Sequence, residues 1–259
     1  MLFGGQDYNE LGGTLGASQE DRTNTGYAWH AIVDNLSRLV IAGLLCLLCC
    51  MPAFAGFLLG LLWNRPEILL VAGAVGGLIA GPAFGTLYDA CLMAYMGYPG
   101  RWWERYKKVF AREWKGCLVP GLIMGLILAT TANVLMNLHE GTKMDSSVVV
   151  CMVILLVISC MILSYFWPQR MLLDLTFLQT LKNSWIMVVS HPLLALGSAA
   201  IQIGYWALML ILYPYSIVFL LILSAWLPVF LSVRVVYEAL NKALELDQRF
   251  EKAKEEENA

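Results

Sequence analysis

Between Asn183 and Val233 the chain runs for 51 residues without an Asp, Glu, Lys or Arg. In water such a run would expose far more apolar surface than a soluble domain tolerates. In a bilayer it is the length of two spanning helices and a tight turn, at roughly 20 residues per crossing. The chain is therefore expected to be integral to a membrane. Mean hydropathy is +0.66, and charged residues make up 14% against about 25% in soluble domains.

Further uncharged runs at Leu39–Trp63, Ile68–Tyr88, Gly116–Leu138 and Ser146–Gln169 bring the expected crossings to six. The long run splits at Tyr213-Pro214-Tyr215-Ser216 into a fifth span near 193–212 and a sixth near 217–236. Lys and Arg segregate sharply across this arrangement. Fifteen lie before the first span and after the even-numbered ones, whereas Arg65 and Lys143 alone lie on the other side. By the positive-inside bias both termini are cytoplasmic. The expected fold is an all-α polytopic bundle of six transmembrane helices. A disordered cytoplasmic N-terminus covers 1–28, the membrane domain 29–236, and a cytoplasmic helix and tail 237–259, with Glu238/Lys242 and Glu245/Arg249 paired at i,i+4. No cleavable signal is expected before the first apolar run.

Two cytoplasmic connections read as interfacial helices. In 101–115 (RWWERYKKVFAREWK), Trp102, Tyr106, Phe110 and Trp114 recur every fourth residue with basic residues between them. Trp102, Trp103, Arg105, Lys108 and Arg112 are the candidates for anchoring to anionic lipid or for docking a cytoplasmic partner. The second connection, 168–190, ends at His191-Pro192.

Gly73, Gly77, Gly81 and Gly85 stand at i,i+4 spacing, with Gly76 beside them; Gly56/Gly60 and Gly121/Gly125, the latter followed by Ala129, repeat the pattern. Such a face lets another backbone approach closely. It serves packing within the chain, a homodimer, or a groove for a substrate. Pro82 interrupts it within an apolar stretch running from Ile68 to Tyr98, so a kink or break is expected at Gly81-Pro82, and Pro52 invites one in the first span. Asp89 is the acid in that stretch, placed either to act in solute movement or to pair with Arg38, Arg101 or Arg105. Asn133, Thr130, Thr131, Gln202, Ser198 and Ser224 are uncharged polar groups at depth, for which interhelical hydrogen bonds suffice.

Catalytic constellations are not evident. His30, His139 and His191 are scattered; no HExxH, GxSxG or phosphate-binding loop occurs; and the seven cysteines, including Cys46 and Cys49 as a lone CxxC, lie in or beside apolar segments. No cofactor or metal is expected, and the net charge of −2 gives no nucleic-acid footprint.

Several segments are similar to the YesL-like family of bacterial membrane proteins. They are Asn35-Leu36-Ser37-Arg38-Leu39 before a span with Pro52, Gly81-Pro82-Ala83 followed by Leu87-Tyr88, residues 103–121 (WERYKKVFAREWKGCLVPG), and Leu181-Lys182-Asn183-Ser184 to His191-Pro192-Leu193. The resemblance implies the bacterial cytoplasmic membrane and a role beside carbohydrate uptake. The expected function is thus a non-enzymatic accessory or scaffold, with transporter subunits or a second copy as partner and the bilayer around it. The alternatives are a small-solute transporter using Gly81-Pro82, with Asp89 near its inner gate and Asn133 among the candidate groups, and, more remotely, a membrane-embedded enzyme.

Overall fold

The computed structural model describes residues 25–97, 101–139, 141, 145–173, 175–213 and 215–244. Those residues form eight α-helices: α1 (Thr25–Leu62), α2 (Pro66–Met96), α3 (Trp102–His139), α4 (Ser146–Leu172), α5 (Phe177–Ser190), α6 (Pro192–Ile211), α7 (Ser216–Leu223) and α8 (Trp226–Leu244). Helices α1, α2, α3, α4 and α6 are long and apolar enough to cross a membrane. The described residues are thus all-helical, with five such helices among them. The disorder expected over 1–28 does not extend to residues 25–28, which open α1; residues 1–24 and the Glu245/Arg249 pair lie outside the described residues.

Helix boundaries follow local chemistry. Asn64 takes the left-handed conformation (φ 49°) after α1, and Pro66 opens α2, where its missing N–H costs nothing. Asp145 caps α4 by accepting from the Ser147 N–H, which holds its carboxyl below the usual range. Thr176 and Gln179 form a reciprocal capping box at the start of α5. Lys242 pairs with Glu238 at 2.9 Å in the last turns of α8, as the i,i+4 spacing predicts.

Three further expectations are corrected. Neither interfacial helix stands as expected: from Trp102 the segment 101–115 forms the opening turns of α3, and 168–190 is divided, its first residues ending α4 at Leu172 and the rest forming α5. Helix α2 runs unbroken through Gly81 and Pro82, as α1 does through Pro52. The sixth apolar segment is instead the interrupted one, divided into α7 and α8 at Ser224 (φ 32°, ψ −153°). Pro228 supplies part of the reason. In a continuous helix it would lack the bond to the Ser224 carbonyl and its ring would strike that group. Placed in the first turn of α8, it meets no such conflict.

Helix α2 is the axis of the bundle. From Ala80 to Met96 it is buried except at Phe84 and Ala90, which are half-buried. Tyr95 sits among Tyr27, Phe230 and Tyr237, with ring centroids 4.9–5.9 Å away, and Tyr88 stacks on Trp167. The other end of the molecule is looser. In α4, residues 164–169 are all buried, whereas none of 146–163 is; in α6, burial stops at Ala199.

Candidate functional site

Helices α2 and α3 meet backbone to backbone. A Cβ at Gly73 would lie 2.5 Å from both Ala129 Cβ and the Gly125 carbonyl, and one at Gly81 would lie 2.5 Å from the Cys117 carbonyl. Gly77 faces the Gly121 carbonyl at still closer range, with Gly125 Cα 3.0 Å away. The two glycine patterns read from the sequence are therefore one contact. Gly76 faces Ala53 of α1, and Gly85 instead admits Met171, Trp167 and Cys117. The glycine face of α2 is filled by α3, not left as a groove.

Asp89 is almost fully buried, its side chain 4% exposed, and both its oxygens are taken by Arg105, at 2.9 Å from Nε and 2.7 Å from Nη2. Of the three arginines that could have paired with it, Arg105 is the one that does. A second clamp lies lower on α3. Glu113 receives Arg112 at 2.8 Å and Arg170 of α4 at 3.0 Å. Arg112 also donates to the Met171 carbonyl at the end of α4, and Arg170 to the Leu175 carbonyl. Gly116 leaves room for the Arg170 guanidinium.

These contacts seat one face of the α3 arm: Tyr106, Val109, Glu113 and Cys117 are buried and Trp102 is half-buried. The other face is exposed. It carries Trp103 with Lys107 Nζ 5.6 Å from its ring centroid, Trp114 with Lys115 at the same distance, and Phe110 and Lys108. Of the five docking candidates, Trp103 and Lys108 lie on the exposed face. Arg105 and Arg112 are engaged internally, although Arg112 remains partly exposed.

A polar cluster that no local pattern announces joins α2, α4, α6 and α8. Ser198 hydrogen-bonds Ser164 and Ser232; Gln202 Nε2 lies 2.9 Å from Ser164 Oγ and 3.1 Å from both Tyr88 Oη and Ser232 Oγ. Ser164 donates its hydroxyl to the Cys160 carbonyl at 2.7 Å. Gln202 and Ser198 thus bond across helices as expected, whereas Thr130 and Thr131 donate to their own helix and the Asn133 carbonyl accepts from Asn137 at 2.8 Å. Near the cluster, Tyr205 donates to the Ser224 carbonyl at 2.7 Å, supplying a partner at the helix break. Ser224 Oγ is buried without a hydrogen bond and abuts Gly43 of α1.

Among the described residues, no group of three or more His, Cys, Asp or Glu could hold a metal ion, and every described cysteine is a free thiol. No protein-family model, curated protein or solved structure matches the chain.

Proposed function

We propose that the chain is a non-enzymatic accessory or scaffold protein of the cytoplasmic membrane, and that the exposed face of the α3 arm is where its partner docks. One observation carries this reading. Two ion-pair clamps fix the inner face of the arm, so the outer face presents Trp103, Lys107, Lys108, Phe110, Trp114 and Lys115 on a rigid support. Aromatic and basic side chains held at low entropic cost are the composition of a binding hot spot. The link to a carbohydrate transport system rests on the motif resemblance.

The test replaces Lys107, Lys108 and Lys115 by Gln and recovers the protein from its host in mild detergent. Co-purifying transporter subunits are expected to drop at least tenfold while the bundle stays folded. Undiminished recovery would sink the proposal. Arg105 is the wrong residue to remove, because stranding Asp89 would cost about 3–5 kcal/mol and unfold rather than undock.

The same reading takes α7 and α8 together as a broken sixth crossing, with both ends of the chain inside. In a chain stripped of its native cysteines, one placed at Asp145 should react with an impermeant maleimide from outside and one at Lys242 from inside. The reverse pattern would reject the orientation.

A second reading, solute transport, draws on the break at Ser224 beside the Gln202 cluster, since interrupted helices commonly frame transport sites. It moves the transport route away from Gly81-Pro82. It requires that Gln202→Leu stop sugar flux in proteoliposomes.

A further inference from the structure

The cleft between α1, α2 and the first turns of α3 carries positive charge that its own residues do not neutralise. Asn35, Arg38, Asp89, Met93, Trp102 and Arg105 are among the residues lining it. Its inner cavity measures about 30 Å³, and the cleft with its mouth takes in about 430 Å³. A water needs about 10–15 Å³ on the first of these measures, so the inner part admits two atoms of oxygen size.

The charges inside are unequal. Asp89 spends both oxygens on Arg105, which leaves that pair neutral and the carboxylate unable to hold a cation without breaking it. Arg38 has no such counter-ion. Among the described residues its hydrogen-bonding partner is the neutral Asn35 Oδ1, 3.1 Å from Nη1. Asn35 is itself held, its amide donating to the Ala31 carbonyl at 3.1 Å. The guanidinium is thus oriented but not neutralised. Trp102, the first residue of α3, also lines the cleft, which brings the positive end of that helix to it.

A group with one negative charge shared over two or more oxygens suits these walls. The guanidinium fork matches such an anion in two parallel bonds, the helix end adds to the attraction, and the inner cavity accepts two oxygens while the remainder stays in the mouth. Arg38 immediately precedes the uncharged run that begins at Leu39, so the cleft lies at the depth where lipid phosphates are found. We propose that this cleft is a phosphate-binding site centred on Arg38, occupied by the phosphodiester of an anionic phospholipid or by soluble phosphate. The site is independent of the docking face, whose residues lie on the exposed side of α3.

The full chain would be purified and placed in nanodiscs of phosphatidylcholine with or without phosphatidylglycerol, and separately in detergent with inorganic phosphate. Retained lipid would be counted by native mass spectrometry, and affinity taken from the shift of the unfolding midpoint. Arg38→Gln is compared with Arg65→Gln, which removes the same charge at the outer turn. Affinity is expected to fall about tenfold or more in Arg38→Gln, one lost charge-assisted contact, and to hold in Arg65→Gln. An effect of phosphatidylglycerol alone identifies the headgroup as ligand; an effect of inorganic phosphate identifies the soluble anion. Equal affinity in wild type and Arg38→Gln for both overturns the site. Should Arg38→Gln not fold, Arg38→Lys decides, because it keeps the charge but loses the fork: affinity falls several-fold if the site is real, and an unchanged value rejects it.

Discussion

Pro82 and Pro228 stand in similar apolar surroundings, and the chain treats them oppositely. At Pro82, α2 continues without interruption; four residues before Pro228, the helix gives way. The difference lies in the neighbours. Around Pro82 the backbone of α2 is pressed against α3 through Gly77 and Gly81. A break there would separate two helices that meet backbone to backbone. At Ser224 a glycine, Gly43, vacates space beside the hydroxyl, and Tyr205 supplies a donor for the Ser224 carbonyl. A proline weakens a helix wherever it falls; whether the helix parts depends on what is offered to the backbone groups set free.

That contrast can be broken at four places. Gly77→Leu should have the largest effect, forcing a side chain into the Gly121 backbone, with a loss of about 3 kcal/mol or more. It would register as loss of the monodisperse folded species in detergent; a normal melting curve would show that α2 and α3 are not so close. Tyr205→Phe leaves the buried Ser224 carbonyl without its donor, at a cost of about 1–3 kcal/mol. The loss should concentrate as faster amide exchange in residues 216–224, and uniform exchange across the chain would contradict it. Ser224→Gly should raise stability by about 1 kcal/mol, since glycine adopts φ 32° without strain. Ser224→Ala also removes the unbonded buried hydroxyl but keeps the strain, so Ser224→Gly should be the more stable of the two, and equal stability would contradict it. Pro82→Ala should change stability least, by less than about 1 kcal/mol, because the helix is already continuous. A large change would mean that Pro82 is under load.

Much of this could be read from residue order. Uncharged runs locate α1 to α4 and α6, because burial in lipid depends on length and composition alone. The pairing of Gly73, Gly77 and Gly81 with Gly121, Gly125 and Ala129 was half visible, as two small-residue faces without an assigned partner. The Arg105 partner of Asp89 stood among three candidates, and geometry alone separates them. Less was legible where distant segments cooperate. Glu113 and Arg170 meet through the packing of α3 on α4, and Ser164, Ser198 and Ser232 are ordinary residues until four helices converge. The break at Ser224 did have a signal, Pro228 four residues on, but prolines inside continuous α1, α2, α3 and α4 carry the same one. The donor that distinguishes it, Tyr205, belongs to another helix.

The contact of Gly77 with Gly121 and Gly125 also limits how this sequence can drift. When a large residue packs against a small one, a gain of volume on one side can be traded for a loss on the other. Across this contact both sides are already at the minimum, so no second substitution can make room for the first. Variation there is closed to the stepwise exchanges by which most cores change, and the α2–α3 pair should persist as a fixed seam while the residues around it turn over.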